Sequence, residues 1–184
     1  MDTAQEAPNT VILAQDEASL YLQATIQVVW HQRGQTPVVK LDPGRKSVHF
    51  YGALDLHSGQ ETAMMSSVMN SATTARFLQK VLCTYPAQPI LMLWDRAPWH
   101  FGAPIQQLLE ANPRLQLVSF PPASPDLNPQ EHVWKAARTA ISHNHRFDRL
   151  ELLAERFLNY LTQTRFPSSM LDIYGYNQIC PMFT

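Results

Sequence analysis

Two acidic residues stand in settings that suit chemistry. Asp95 closes the run Pro89-Ile-Leu-Met-Leu-Trp94, a continuous apolar stretch of the kind that forms a strand buried on both faces. A carboxylate at the C-terminal end of such a strand lies where open α/β sheets bind ligands. It could equally cap the turn before Pro98. Glu131 follows a stiffer frame, Phe120-Pro-Pro-Ala-Ser-Pro-Asp-Leu-Asn-Pro-Gln-Glu131-His-Val-Trp134. Two prolines halt a strand, Pro125-Asp126-Leu127 makes a turn, Asn128 is a good N-cap and Pro129 takes the favoured first helical position. Glu131 is thereby held in a first turn, where the macrodipole favours a carboxylate. Complementing its helix would account for a first-turn glutamate, but this is much rigidity for one surface side chain. A further acidic pair, Asp16-Glu17, belongs to the strand begun by Val11-Ile-Leu-Ala14. His143-Asn-His145 spells a nuclease-like tripeptide, yet it connects two helices and lacks the hairpin such a metal site needs.

The elements that position these residues follow from hydrophobic spacing. Strands are expected over residues 11–22, 46–56 and 60–66, with short β-prone pieces at 25–30 and 37–41. Three successive strands suggest an antiparallel meander. Phe77, Leu78, Val81, Leu82 and Tyr85 then predict a helix over 71–85, and Phe101, Ile105, Leu108 and Leu109 another, stopped by Asn112-Pro113. Leu115 to Phe120 reads as a second buried strand. Residues 128–142 and 148–164 read as two more helices, the latter with Leu150, Leu153, Phe157, Tyr160 and Leu161 on one stripe. The order β-β-β-α-β-α-β-α-α implies an α/β fold: a mixed sheet with three antiparallel N-terminal strands and helices on both faces. The ribonuclease H-like fold has that order, among others.

Composition narrows the classes. The 184 residues suit one domain, here 10–166 with tails at 1–9 and 167–184. With 45% hydrophobic and 16% charged residues the chain is globular and not a charged disordered tail. No stretch approaches the roughly 18 apolar residues of a membrane span, and MDTAQEAPNT lacks the features of a secretory signal. Cys83 and Cys180 are too few for a disulfide scaffold, so a cytoplasmic protein without a membrane partner is expected. Lys plus Arg is 14 against 15 Asp plus Glu, a net charge of −1. A chain that holds DNA unaided usually has a basic excess, so nucleic acid would be handled through local patches or with another module.

The segments Asp95-Arg-Ala-Pro-Trp-His100 and Pro121-Pro-Ala-Ser-Pro-Asp-Leu-Asn-Pro-Gln-Glu131-His-Val-Trp134 resemble the catalytic core of DDE transposases. The likeness is to the bacterial insertion-sequence branch of the mariner superfamily, the DDE superfamily endonucleases. It covers residues 10–150 and is densest over 91–134. It implies Asp16 as the first acid, with Trp30, Gly34, Thr36 and Pro37 resembling the family's Trp-x-x-x-Gly-x-x-Pro hairpin. Asp55, in Gly52-Ala-Leu-Asp-Leu-His, is the rival first acid, although it precedes Ser58-Gly59 as a turn residue would. Arg96 stands where the family usually has Asn. The family's N-terminal helix-turn-helix has no counterpart before Val11. A separate helix-turn-helix polypeptide or a missing N-terminal domain is therefore expected to read DNA sequence.

The resemblance implies an enzyme that nicks transposon ends and joins the freed 3′-hydroxyl to target DNA, working as a homodimer. Phosphodiester cleavage needs an activated water and a stabilised leaving alkoxide, which two divalent ions supply. Hard oxygen ligands suit Mg²⁺ or Mn²⁺. Asp16 would bridge both ions, with Asp95 and Glu131 each holding one. His100 matches the family motif and is expected near DNA or behind the acids, or as a plain packing residue. Glu131, Lys135 and Arg138 share a helix face, either as surface ion pairs or with the cations on phosphates, and Trp134, Ala137 and Ile141 form its core face. Arg33, Lys40, Arg45 and Lys46 cluster around the N-terminal hairpin as candidate DNA contacts or solvated loop charge. The competing readings are a catalytically silent remnant serving as a dimerisation or DNA-associated module, and a ribonuclease H-type nuclease.

Overall fold

The computed structural model describes residues 9–22, 46–121, 128–143 and 147–166. Strands β1 (Val11–Tyr21), β2 (Ser47–Asp55) and β3 (Glu61–Ser66) come first, followed by helix α1 (Ser71–Thr84) and strand β4 (Ile90–Trp94). A 3₁₀ turn (Pro98–His100), α2 (Ala103–Ala111) and β5 (Leu115–Ser119) lead to α3 (Gln130–Ala137), a π turn over Arg138–Ser142, and α4 (Leu150–Gln163). The β-prone pieces at 25–30 and 37–41, the turn at Pro125-Asp126-Leu127, Trp30, Arg33, Gly34, Thr36, Pro37, Lys40 and Arg45, and both expected tails beyond these bounds lie outside the described residues.

The sheet has the order β3-β2-β1-β4-β5. β1 pairs antiparallel with β2, from Leu13 opposite Asp55 to Tyr21 opposite Ser47. On its other side β1 runs parallel to β4, with Ala14 opposite Leu93. The expected meander is therefore joined at β1 to a parallel half. The β2–β3 turn closes because Asp55 Oδ1 accepts the backbone N–H groups of His57 and Ser58 at 2.8 and 3.1 Å. Gly59 turns there at φ 70°, with Phe166 O where a side chain would stand.

Alternation along β1 sorts its residues onto two layers. Leu13 joins Tyr51, Ala53, Met92 and Trp94 against α1. Ala14, Ala18 and Leu20 join Phe50, Leu54, Trp134 and Phe157 against α3 and α4. Asp16 therefore belongs to the α3 layer, and Glu17 to the α1 layer. Asn70 caps α1 by accepting Thr73 N–H at 2.9 Å, one residue ahead of the expected Ser71 start. The Arg114 guanidinium ties off the other end of α1 through the Leu82 and Gln88 carbonyls at 2.9 and 2.8 Å.

Three expectations are corrected. Phe101 is exposed and precedes α2, because Gly102 at φ 130° breaks the chain before the helix starts. β5 is an edge strand with Val118 exposed, so its apolar run does not reflect burial on both faces. The 128–142 helix is α-helical only to Ala137 and then widens into the π turn.

Candidate active site

Asp16 lies mid-strand in β1, where Gly52 is its cross-strand partner. Asp95 follows the last residue of β4. Asp16 and Asp95 each stand two residues beyond the pair Ala14–Leu93, so they are level on adjacent parallel strands, at the C-terminal end of β4.

Glu131 is brought over β1 by a set of tethers that explains the density of the Asn-Pro-Gln-Glu-His-Val-Trp segment. Asn128 Oδ1 accepts Gln130 N–H at 3.1 Å and its Nδ2 donates to the Gln15 carbonyl at 3.3 Å. Pro129 already has helical angles, φ −57° and ψ −25°, so Asn128 caps chemically although the regular helix begins at Gln130. Gln130 Nε2 donates to Glu61 Oε1 at 2.7 Å, and Trp134 Nε1 donates to Asp16 Oδ2 at 3.1 Å. The first turn of α3 is thus fastened to β1 and β3, leaving the Glu131 side chain exposed.

This fastening needs the missing side chain of Gly52. A Cβ there would overlap Glu61 Oε1 and Gln130 Nε2, and would lie 2.6 Å from Trp134 Cη2. All three side chains are buried and cannot swing aside. Gly52→Ala is expected to cost about 3 kcal/mol through overpacking, read as a lowered urea midpoint at unchanged slope. A midpoint equal to wild type would show that α3 lifts off the sheet freely.

The electrostatics are asymmetric. Burial raises the Asp16 carboxyl to about 7, helped by the neighbouring Glu17 and Glu131 charges and opposed by the Glu17 backbone N–H and the Trp134 indole. Glu61 is pushed well above the usual carboxylate range by its burial, despite the bond from Gln130. Asp95 is held low, mainly by His100 and also by the Ala97 N–H. Burial opposes protonation of His100, but hydrogen bonds to Asp95 and Glu17 raise it to about 9.

Glu131 stands on the helix packed against the Asp16 face of the sheet, while the Asp95 carboxylate turns to His100 at 2.9 Å. His100 stacks on Trp94 in the α1 layer. Ala14 and Leu93 share the α3 layer, so Asp16 and Asp95 start from the same face, and the Asp95 carboxylate leans back to the imidazole behind it. Among the described residues no three His, Cys, Asp or Glu side chains form a group that could hold a metal ion. Asp55 spends its oxygens on the β2–β3 turn and on the Tyr85 hydroxyl.

His100 is buried, its ring held between the Glu17 and Asp95 carboxylates. Lys135 is exposed, Arg138 half-buried, and Lys46 exposed just ahead of β2; no ion pair joins either helix cation to Glu131. Trp134 and Ala137 are core residues as expected, with Ile141 packed beside them. His143 ends the π turn, and Asn144 and His145 lie outside the described residues. Sequence reasoning missed Glu17, Gln130 and Glu61, and the donor role of Trp134. Glu17 alone gave a signal: in an alternating strand it must face the layer opposite Asp16.

A mixed five-stranded sheet of order β3-β2-β1-β4-β5 with helices on both faces has a ribonuclease H-like architecture, that of transposase catalytic domains. Solved relatives agree. The mariner Mos1 paired end complex with Mg matches at TM-score 0.67 and 18% identity, over 94% of this chain and 55% of that one. The complex with Mn matches at 0.65 and 16%, over 92% and 53%. In sequence, the insertion element IS630 uncharacterized 39 kDa protein of Shigella sonnei is 26% identical over 159 residues, 85% of this chain and 46% of that protein. The chain thus spans about half the length of these relatives. Residues 11–154 match the model of the DDE superfamily endonucleases, and the chain belongs to that family.

Proposed function

We propose that this domain cuts phosphodiester bonds at transposon ends and joins the freed 3′-hydroxyl to target DNA, with Asp16, Asp95 and Glu131 as its catalytic acids. The observation that carries this reading is the tethering of α3, which fixes an exposed glutamate on the helix whose Trp134 holds the half-buried Asp16. Glu17 and Glu131 both raise the proton affinity of Asp16, and carboxylates that repel one another suit a divalent cation. Asp16, Asp95 and Glu131 would hold Mg²⁺ or Mn²⁺, two ions in all. Such ions supply an activated water and charge stabilisation at the leaving oxygen.

The chain's own groups define the remaining tasks. Trp134 fixes Asp16 by donating to one carboxylate oxygen. Lys135 and Arg138, on the face shared with Glu131, would take DNA phosphates, with Lys46 and Arg33 as further contacts. With a net charge of −1 over these residues, affinity and sequence choice would come from a helix-turn-helix module, on an N-terminal domain or on another polypeptide. The domain would work as a homodimer on paired ends in a bacterial cytoplasm. Mos1, solved as a paired end complex with Mg and with Mn, supports DNA as the partner and a divalent cation as the cofactor.

The test joins two readouts. Millimolar Mn²⁺ should let the wild type nick supercoiled plasmid and should raise its melting temperature by roughly 5–10 °C, as a ligand at about 100 times its Kd does in a domain of this size. Asp95→Ala should abolish both. A wild type that neither nicks nor responds to Mn²⁺ would instead mark a silent remnant.

A further inference from the structure

We infer that Glu17 is a positioning residue that, through His100, sets the orientation of the Asp95 carboxylate. The inference rests on the reading of Asp95 as a catalytic acid. Glu17 lies in β1 and Asp95 just after β4, and one imidazole joins them. His100 Nε2 meets Glu17 Oε1 at 2.9 Å, and Nδ1 meets Asp95 Oδ1 at 2.9 Å. Nδ1 also lies 3.1 Å from the Asp95 carbonyl oxygen. Acceptors stand at both ring nitrogens, so the ring donates from both.

The two inner members of the chain are immobilised. The side chains of His100 and Glu17 are 0% and 3% exposed, whereas that of Asp95 is 51% exposed. Gln15 Nε2 donates to the same Glu17 oxygen at 2.9 Å. Trp94 stacks on the imidazole at 4.2 Å with the rings 10° from parallel, and His100 N–H closes the 3₁₀ turn on the Ala97 carbonyl at 2.9 Å. Glu17 Oε1 is thus occupied by two protein donors, and the residue is too enclosed to meet substrate. Its effect is transmitted outward. Asp95 Oδ1 accepts from Ala97 N–H and is ion-paired with His100 Nδ1 at 2.9 Å, so Oδ2 is the oxygen left for a ligand. An aspartate after a strand end would otherwise sample several rotamers. A packing histidine needs one partner, and this one is held between a buried and an exposed carboxylate.

The experiment compares Glu17→Ala and Glu17→Gln with wild type. Gln keeps an acceptor for the imidazole and Ala removes it. Without metal, the His100 ring N–H signals in ¹H–¹⁵N NMR report the clamp. With metal, the Mn²⁺ concentration at half-maximal thermal stabilisation, and separately that for nicking, reports how well Asp95 is presented. Glu17→Ala should lose the protected Nε2–H signal and raise both concentrations about tenfold or more, as loss of a group that orients a metal-facing ligand does. Glu17→Gln should keep the signal and stay within about threefold. If Glu17→Ala fails to fold, Glu17→Leu, which refills the space, takes its place. An unchanged Mn²⁺ requirement in a folded Ala or Leu variant would overturn the assignment. Equal weakening by Gln and Ala would overturn it too, since the charge and not the orientation would then matter. If the wild type ignores Mn²⁺ while its ring N–H signals are present, the reading of Asp95 as a metal-facing acid fails and the assignment falls with it.

Discussion

Asp16→Asn should give a protein that is harder to unfold and unable to cut DNA. The half-buried native carboxylate is desolvated and sits near Glu17 and Glu131, which together bring its pKa from 3.8 to about 7. At about 1.4 kcal/mol per pH unit, that displacement corresponds to roughly 4 kcal/mol of native-state penalty above pH 7, as an upper bound. Asn removes the charge and keeps an oxygen to accept the Trp134 indole N–H, so the packing of α3 on the sheet survives. Part of the gain is offset because the Asn amide N–H₂ must also find partners. A net stabilisation on the order of 2–3 kcal/mol is expected at pH 8, measured by urea denaturation without divalent metal. Mn²⁺-dependent nicking should fall about a thousandfold or more, since a neutral amide is a poor partner for hard cations. An Asn variant that still nicks, or one less stable than wild type, would remove Asp16 from the catalytic set. Opposite signs for stability and activity are characteristic of a group kept for function against the interest of the fold.

Much of this site was legible in the sequence, because rigid local signals specified it. The proline-flanked start of α3 needs only local chemistry to be read, and Asn128 caps it as expected. The continuous apolar run before Asp95 marked a strand between two others, and β4 lies between β1 and β5. The same rule failed for Leu115–Ser119, since apolar residues on an edge strand look alike in sequence and only pairing distinguishes them. Phe101 misled because helical spacing is blind to the break that Gly102 introduces. The long-range polar links were the least legible. Glu17 and His100 are 83 positions apart, and Gln130 and Glu61 are 69 apart. A buried glutamate paired with a glutamine has no periodic signature; it exists only once β3 and α3 face each other. The exposed and buried acids likewise separate only in three dimensions, where Asp16 and Glu17, neighbours in sequence, serve opposite layers.

That separation predicts an unusual pH profile for the metal-free protein, with stability falling from about pH 5 to pH 9. Asp16 and His100 act in sequence and with the same sign, and buried Glu61, also raised, adds to the fall. Asp16 titrates near 7 in the fold against 3.8 unfolded, so the native state holds the extra proton between those values and loses stability as pH rises through them. His100 titrates near 9 in the fold against 6.5 unfolded. Its contribution is complete below 6.5 and is lost as pH rises through 9. Asp95 acts in the opposite sense, but its depressed value confines its effect to acid, where stability falls as its carboxylate is protonated. Asp16 is worth roughly 4 kcal/mol at most and His100 roughly 3 kcal/mol, and because both interact with Glu17 the total falls short of their sum. A melting temperature lower by roughly 10 °C at pH 9 than at pH 5 is expected by calorimetry. Asp16→Asn should flatten the lower stage and His100→Asn the upper one. A divalent cation requires deprotonated carboxylates, so Mg²⁺ should stabilise most at pH 8–9, where the metal-free protein is weakest. A profile that rises between pH 5 and 8 without metal would mean that Asp16 is ionised in the fold at no cost, and the electrostatic case for a cation at this junction of the sheet would be lost.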